Sequence, residues 1–485
     1  FNQYLLQIGS YNIKKFYYER SNLLESKINI FFEDVLWMSY DDTVKWIDEL
    51  RKFVLTEWDT KGIPPTIGLN TKDIIKNFRK LREYPLHQGK KQFLINDDII
   101  KNYNKQASSV NQFFPTMLKT RVNNGSIYDW FTDEYRDKFQ KVMLRVIKRD
   151  GMYNYSKCIP IDSELPKNWF VVQQKRTDDV SKYYSMKSDE VKKLDSKYIT
   201  NITEYDDDKY IYLVREFKLG QKLFPSAIQG FRLGLGQPAV NFPPLTARYL
   251  YEKYTEHIEQ DEPFNIYDPS SGWGGRILGA MSSLKKIHYI GTDPNTDNFI
   301  DELGITRYEY VAEFFNNKAL ETNSFWEEEK NTYHIFQEGS EHIGNHPDFQ
   351  QYKGKLDMVF TSPPYFDREQ YSNDEEQSYK AYPQYDDWRD NFLKPTLTNA
   401  FESLRNDRYL LWNIADIKIG TDKYHPLEQD SIDIVESLGG QYKGKLKMLM
   451  TRMIGLDPSS SGIKNSVKIN GEYFKYEPIF IFYKK

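Results

Sequence analysis

Apolar residues follow different patterns in the first and last parts of this 485-residue chain. Helical apolar spacing covers residues 23–36 and 41–55 and is strongest over 128–147, so residues 1–150 are predicted to be mainly helical. Apolar runs at 169–172 and 210–214 predict strands, and a charged stretch at 176–196 predicts a helix between them. We therefore predict a mixed α+β connecting region over 151–225.

From about residue 226 to the C-terminus, the pattern changes to short apolar runs that are separated by helical spacing. These runs predict strands at 265–268, 289–293, 334–339, 358–360, 408–414, 447–450 and 478–483. The run at 408–414 is apolar almost throughout, which is typical of a strand buried on both faces. Two chemically informative motifs lie at the ends of such strands.

The first motif is a Gly-rich turn between a strand and a helical pattern. It reads Asp268-Pro269-Ser270-Ser271-Gly272-Trp273-Gly274-Gly275-Arg276. Gly272 and Gly274 allow a tight turn and a close approach of a ligand to the backbone, near the free N–H groups of a helix start. Asp293 ends the next strand, where an acid accepts hydrogen bonds from ribose hydroxyls. The Gly-Lys-Ser/Thr of a phosphate loop is absent, and the dinucleotide spacing of glycines fails.

The second motif is Ser362-Pro363-Pro364-Tyr365, directly after the predicted strand at 358–360. The two prolines cannot continue the strand. They leave rigid carbonyl groups, a hydroxyl and an aromatic ring at its carboxyl end. Acceptor oxygens beside a ring suit a planar base that carries an exocyclic amino group.

Together these motifs resemble those of the S-adenosylmethionine-dependent DNA amino-methyltransferases, of the cytosine-N4 and adenine-N6 type. The resemblance runs from about Phe242 to the C-terminus. It implies a Rossmann-like α/β domain over 226–485, with a mostly parallel seven-stranded sheet and an antiparallel last strand. It also implies that S-adenosylmethionine is the cofactor and that its contacts come from eight residues: Phe242, Asp268, Ser270, Gly272, Gly274, Asp293, Ser340 and Thr361.

The resemblance further implies direct methyl transfer to a base that has been flipped out of the DNA duplex. The Ser362 hydroxyl and the Pro363 carbonyl would accept hydrogen bonds from the target amino group, with Pro364 beside them, and Tyr365 would stack on the base. Ser at the first position favours cytosine N4 slightly, and adenine N6 stays open. The rival interpretations are an enzyme that modifies RNA or transfers another group, and a non-catalytic DNA-binding or restriction-partner protein.

Composition and charge set the remaining expectations. The net charge is −4, but residues 51–150 contain 20 Lys and Arg against 11 Asp and Glu. The predicted core has no space for a large recognition domain, so we expect the N-terminal region to contact DNA, with Lys76, Arg79, Lys80 and Arg82 among its cations. A protein partner for that region is the alternative. A fragment beginning near Gly220 is expected to keep cofactor binding.

Other classes of site and location are disfavoured by the sequence. A single cysteine, Cys158, excludes an intramolecular disulfide, and the seven histidines show no paired ligand spacing, so no metal is expected. No apolar stretch is long enough to span a membrane. We expect a cytoplasmic protein of a bacterial or phage-infected cell, of the restriction–modification or phage type. The acidic, Tyr-rich segment 366–388 is either a lid over the base pocket or an exposed loop.

Overall fold

The computed structural model describes a chain that forms two compact units. The described residues are 30–31, 40–61, 71–86, 93–102, 107–122, 125–150, 156–160, 169–176, 210–216, 222–224, 239–301, 303–319, 330–367, 369–371, 375, 377–420, 423–453 and 464–485. Within these, the first unit draws on Gly68–Ile127 and Pro238–Lys485, and the second on Arg20–Ile67 and Tyr128–Gln237.

The helices and strands are numbered in chain order. The helices are α1 (Tyr40–Lys61), α2 (Thr71–Arg82), α3 (Ser108–Asn111), α4 (Arg136–Asp150), α5 (Pro244–Tyr254), α6 (Gly275–Met281), α7 (Arg307–Phe314), α8 (Ser378–Ala381), α9 (Tyr385–Trp388), α10 (Lys394–Ser403) and α11 (Leu427–Ser437). The first strands are β1 (Ile30–Phe31), β2 (Leu94–Asn96), β3 (Ile99–Ile100), β4 (Arg121–Val122), β5 (Ser156–Pro160), β6 (Trp169–Arg176), β7 (Tyr210–Glu216) and β8 (Lys222–Phe224). The others are β9 (Phe264–Asp268), β10 (Ile287–Thr292), β11 (Phe299–Ile300), β12 (Ile305–Thr306), β13 (Thr332–Phe336), β14 (Leu356–Thr361), β15 (Glu369–Gln370), β16 (Leu404–Asn413), β17 (Ile417–Gly420), β18 (Lys423–His425), β19 (Gln441–Met453), β20 (Ser466–Ile469) and β21 (Glu472–Lys484).

The first unit is built around one large sheet with the strand order β13-β10-β9-β14-β16-β21-β19-β3-β2, and β20 pairs with β21. From β13 to β16 every pairing is parallel, whereas β21 is antiparallel to both β16 and β19. The predicted α/β fold, with a mostly parallel sheet and an antiparallel last strand, is confirmed, and β2, β3 and β20 add three strands to the seven that were predicted. The chain order reverses between β9 and β14, which is where α/β sheets open a ligand crevice.

Side chains from successive residues of the central strands enter two separate cores. On β14, Met358 packs in one hydrophobic cluster and Val359 in the other, and both are fully buried. Leu411 and Leu410 divide in the same way on the neighbouring β16. Successive strand residues point to opposite faces, so a strand with apolar layers on both sides is apolar throughout.

Part of the predicted N-terminal region belongs to this first unit. β3 extends the sheet beyond β19 in parallel, pairing Lys447 with Ile99, and β2 follows it. The apolar face of α2 is buried, and its Phe78 ring stacks on Phe315 at a centroid distance of 4.7 Å. These contacts join residues far apart in the chain, so local periodicity could not predict them. A fragment beginning near Gly220 lacks this packing, and we no longer expect it to keep the cofactor pocket.

The second unit contains α1, α4 and a three-stranded antiparallel sheet in the order β5-β7-β6. The Arg51 guanidinium on α1 is buried, where it donates to the Phe131 carbonyl at 2.7 Å and pairs with Asp133 at 2.6 Å. The helix expected at 41–55 and the strands expected near 169 and 210 are confirmed.

Two other predictions for this unit have different outcomes. Of the helix predicted over 23–36, only residues 30–31 are described, and they form β1, paired with β8, so the prediction is wrong there. The helix predicted over 176–196 falls, beyond residue 176, outside the described residues. In the described part of the chain, no helix combines the length and the apolar character that crossing a bilayer requires.

Candidate active site

The Gly-rich turn joins β9 to α6 and has left-handed backbone at two positions. Gly272 has φ of 59° and Gly274 has φ of 77°. A Cβ atom on Gly274 would lie 2.5 Å from a ring carbon of Phe114, so the close packing of this loop also excludes a side chain there. Asn241 holds the helix start, because its Oδ1 accepts from the Gly275 N–H at 2.9 Å. The predicted roles of both glycines in shaping the turn agree with this geometry.

Asp268 lies beneath this turn, and its carboxylate is saturated by the protein. It is fully buried and accepts from Arg276 Nε at 2.8 Å, from the Tyr289 hydroxyl at 2.6 Å and from the Thr361 hydroxyl at 2.7 Å. Arg276 also donates to the Ser270 carbonyl. Neither Asp268 nor Thr361 is among the lining residues of the neighbouring pocket, and their predicted contacts with a cofactor stay predictions. The two residues tie the turn to β10 and β14.

A pocket opens at the carboxyl ends of the central strands, with about 580 Å³ of empty space, and we call it the central pocket. Its lining includes residues from both sequence motifs and from several other segments: Pro269, Ser270, Gly272, Trp273, Asp293, Pro294, Asn295, Asn298, Ser340, Glu341, Ser362, Pro364, Tyr371, Gln377, Ser378 and Phe392. Phe242 does not line it. That side chain is buried against Phe360, at a ring distance of 5.1 Å, and its predicted cofactor contact stays a prediction.

Asp293 is the best-organised polar group of the central pocket. Its carboxylate accepts from the Gly272 N–H at 3.2 Å and from the Asn295 N–H at 3.0 Å. Desolvation by burial raises the pKa of Asp293 to about 6, although these hydrogen bonds and one from Tyr308 oppose the shift. The Tyr308 hydroxyl oxygen also lies 2.6 Å from the Gly272 carbonyl, which competes with Asp293 for its single proton, and it accepts from Asn298 Nδ2 at 3.0 Å. Asp293, the acid predicted to accept hydrogen bonds from ribose hydroxyls, is therefore held in place from several sides.

Ser340 and Glu341 follow β13 and complete this side of the pocket lining. The Ser340 hydroxyl lies 3.0 Å from that of Thr396, and its carbonyl accepts from Asn399 at 3.0 Å. The Glu341 side chain is 5% exposed. The lining therefore contains two acidic side chains, Asp293 and Glu341, and among the described lining residues none is Lys or Arg.

The Ser-Pro-Pro-Tyr motif leaves the carboxyl end of β14 and divides between the pocket and the core. Ser362 and Pro364 line the central pocket, whereas Pro363 is buried. Tyr365 is partly buried, and its hydroxyl donates to the Asn413 carbonyl at the end of β16, at 3.2 Å. The catalytic roles assigned to these four residues stay predictions.

Several lining residues were not among the predicted site residues. Trp273 and Tyr371 bring their rings to a centroid distance of 6.0 Å. Tyr371 follows β15, and β15 pairs with β4, so a segment near residue 121 lies beside the strand that leads to this lining residue. Gln377 and Ser378 come from the acidic segment 366–388, which favours its interpretation as a lid over the pocket. The signal for these residues was the position of that segment directly after Tyr365.

The comparisons with known proteins add little to this geometry. No protein-family model matches the chain, and no curated protein matches it in sequence. Three solved structures resemble about half of it: TrmN from Thermus thermophilus (12% identity, 57% of this chain and 57% of that chain, TM-score 0.27), a SAM-dependent methyltransferase from Methanosarcina mazei (10%, 48% and 96%, TM-score 0.26) and the CMeT domain of the citrinin polyketide synthase (12%, 53% and 57%, TM-score 0.29). Likenesses this weak carry no argument about activity, so the chemistry of the central pocket rests on its own residues.

Proposed function

We propose that this chain is an S-adenosylmethionine-dependent methyltransferase acting on the exocyclic amino group of a base in DNA, either cytosine N4 or adenine N6. The observation that carries the proposal is the meeting of two motifs in one pocket. Gly272 and Asp293, from the nucleoside-type motif, line the same cavity as Ser362 and Pro364, from the base-type motif. A methyl donor and an amino acceptor must share a cavity for direct transfer.

The residues present fit S-adenosylmethionine. Asp293 offers a carboxylate for ribose hydroxyls, and Asn298 Oδ1 is buried without a hydrogen-bond partner among the described atoms. Two acids and the lack of Lys or Arg in the described lining suit a cationic sulfonium and ammonium better than phosphates.

The proposed chemistry relies on alignment and on acceptor oxygens. When bound, S-adenosylmethionine supplies an electrophilic methyl group on its sulfonium. The target amino nitrogen is a weak nucleophile, because its lone pair is delocalised into the ring. Hydrogen bonds from that amino group to the Ser362 hydroxyl and the Pro363 carbonyl favour a pyramidal nitrogen and stabilise the positive charge that develops on it. Tyr365, held by Asn413, provides the stacking surface for the flipped base.

DNA is the proposed partner, and α2 offers a cationic face for its backbone. Lys72, Lys76 and Lys80 are exposed at four-residue spacing, so they share one side of the helix. Arg82 must be removed from this set, because it is buried and donates to the Ser283 carbonyl at 3.0 Å. A protein partner for the N-terminal region stays the alternative.

A turnover assay with isotopically labelled S-adenosylmethionine tests the proposal. The protein is incubated with DNA or with RNA, and the nucleosides are identified by mass spectrometry after digestion. We expect N4-methylcytosine or N6-methyladenine from DNA, and a strongly reduced yield from the Ser362→Ala variant. Label recovered in RNA alone would reassign the substrate. Failure to bind the cofactor in a calorimetric titration would refute the assignment altogether.

A further inference from the structure

Two hairpins project beside the central pocket at the same edge of the sheet. Asn413, at the carboxyl end of β16, pairs with Ile479 on β21. Because β21 runs antiparallel to β16, the start of β21 extends beyond this carboxyl edge, together with its partner β20. Ser362 leaves β14 at the same edge, since Thr361 pairs with Trp412. The hairpin β17–β18 begins there as well, shortly after Asn413.

The β17–β18 hairpin connects this edge to the base-type motif. The His425 ring stacks on Tyr385 at 4.3 Å and contacts Phe366, the residue after Tyr365, at 5.2 Å. Lys418 pairs with Tyr424, so these two side chains share the other side of the hairpin. One side of the hairpin is therefore packed against the lid segment, and the other carries a lysine and an aromatic ring.

Five lysines on the two hairpins define what we call the carboxyl-edge lysine surface: Lys418, Lys423, Lys464, Lys468 and Lys475, all of them exposed. Lys464 lies over the Tyr424 ring at 5.8 Å, and Lys468 lies over Tyr473 at 5.2 Å. Because Lys468 pairs with Tyr473, and Lys475 is two residues further along β21, these three side chains point to one side of the ribbon. The surface thus interleaves cations with aromatic rings, as nucleic-acid-binding faces do.

The charge of this surface is mostly uncompensated. Lys464 pairs with Asp416 and lies 3.9 Å from Glu428, so it is largely neutralised. On β21, Glu472 is paired with Arg452 at 2.5 Å, and Glu477 follows Lys475 by two residues on the same side of the strand. Among the described residues, the other four lysines have no carboxylate within salt-bridge distance. Lysines on an edge strand also discourage strand pairing between molecules. That role alone does not account for Lys418 and Lys423 on a separate hairpin beside the pocket.

We propose that the carboxyl-edge lysine surface binds the phosphodiester backbone next to the target base. This inference rests on the proposed function, since it places the macromolecular substrate at the mouth of the central pocket. Duplex DNA carries about one negative charge per 1.7 Å of its axis, so a strand that crosses this edge brings phosphates to the lysines. Such contacts position the strand and do not select its sequence.

The test compares two triple variants of the full chain. The first is Lys418→Gln, Lys468→Gln and Lys475→Gln. The matched control is Lys286→Gln, Lys353→Gln and Lys355→Gln, three exposed lysines that precede β10 and β14 at the opposite edge of the sheet. Binding of a fluorescent DNA duplex is measured by anisotropy between low and moderate salt, and binding of an RNA hairpin is measured in parallel.

We expect the first variant to bind the duplex at least about tenfold more weakly, and the slope of log K against log salt to fall by roughly one for each lysine that contacts a phosphate. The control should match the unaltered protein. Both variants should bind S-adenosylmethionine normally, which shows that they are folded. Equal slopes in the two variants with both the duplex and the RNA hairpin, or no binding of either nucleic acid by the unaltered protein, would overturn the surface assignment.

The same data keep this inference distinct from the proposed function. If the first variant methylates DNA and its salt slope equals that of the unaltered protein, the assignment of the carboxyl-edge lysine surface fails and the proposed activity stands. If binding depends on these lysines but no nucleic acid is methylated, the surface assignment stands and the proposed activity fails. A loss confined to the RNA hairpin would identify RNA as the source of the backbone.

Discussion

The substitution Gly274→Ala tests the packing of the Gly-rich turn against Phe114. Two costs are expected. An Ala at φ of 77° costs about 1–2 kcal/mol, because its Cβ crowds the carbonyl in left-handed backbone. The same Cβ would lie 2.5 Å from Phe114 Cε2 and 3.0 Å from Val110 Cγ2, and relieving such overlap costs about 1–3 kcal/mol more.

A matched control separates these two costs. Gly354 has φ of 65°, and a Cβ there would meet no atom within 4 Å. Gly354→Ala should therefore cost about 1–2 kcal/mol, the backbone part alone. Phe114→Leu removes the ring atoms that the new Cβ would meet. The double variant Gly274→Ala/Phe114→Leu should therefore be more stable than the sum of its parts by about 0.5–3 kcal/mol.

Urea unfolding of the four variants measures these differences in the free energy of unfolding. Calorimetric titration with S-adenosylmethionine should also show weaker binding in Gly274→Ala and unchanged binding in Gly354→Ala, because the overlap displaces the turn that lines the pocket. Equal destabilisation by the two glycine substitutions, together with no coupling to Phe114, would refute the packing argument.

Five further predictions concern the same unit. Asp293→Asn should weaken cofactor binding at pH 7.5. In the unaltered protein, the affinity for the cofactor should fall as the pH drops through about 6, because protonation of Asp293 removes a hydrogen-bond acceptor and a negative charge. Calorimetric titration at several pH values would show this, with Asp301→Asn as an exposed control. Since the pKa of Asp293 is raised on folding, the ligand-free protein should lose stability from this group as the pH rises from about 4 to 6, and Asp293→Asn should remove that loss. Asp268→Asn should destabilise the fold by about 3–5 kcal/mol, because it leaves Arg276 buried without its partner, and thermal unfolding should show a lowered Tm rather than a selective loss of affinity. Ser362→Ala and Tyr365→Ala should lower methyl transfer in the labelled assay and leave cofactor binding near normal. The loss in Tyr365→Ala should correspond to about 1–3 kcal/mol of base stacking. Tyr365→Phe loses only the hydrogen bond to the Asn413 carbonyl and should retain most activity. Charge reversal at Lys76, Arg79 and Lys80 should flatten the salt dependence of DNA binding without changing which base is modified, and unchanged salt dependence would move the contact away from α2.

The sequence by itself determined seven of the ten strands of the central sheet and the two motifs at their ends. The part of a strand that is buried on both faces is apolar, so residues 358–360 of β14 and 409–412 of β16 were visible as short apolar runs. Gly272 and Asp293 could be assigned because turns and strand ends carry local chemical requirements that a linear motif records. These signals depend on neighbours in the chain.

The tertiary structure decided which motif residues face the pocket. Asp268 and Ser270 are close in sequence, yet Asp268 is enclosed by Arg276, Tyr289 and Thr361, while Ser270 lines the cavity. A carboxylate in a strand can serve a ligand or a buried guanidinium, and the outcome depends on partners brought together from other strands. The linear sequence does not encode such a choice locally.

The same reason explains the division of the N-terminal region. The apolar face of α2 indicates that another element must cover it, but the periodicity does not identify that element. The Phe78 ring stacks on Phe315, and Ile99 pairs with Lys447 between neighbouring strands, although each pair is separated by hundreds of residues in the chain. The sequence thus determined which surfaces had to be buried. Tertiary packing decided which partners cover them, because the burial of apolar area is favourable but has no preferred direction.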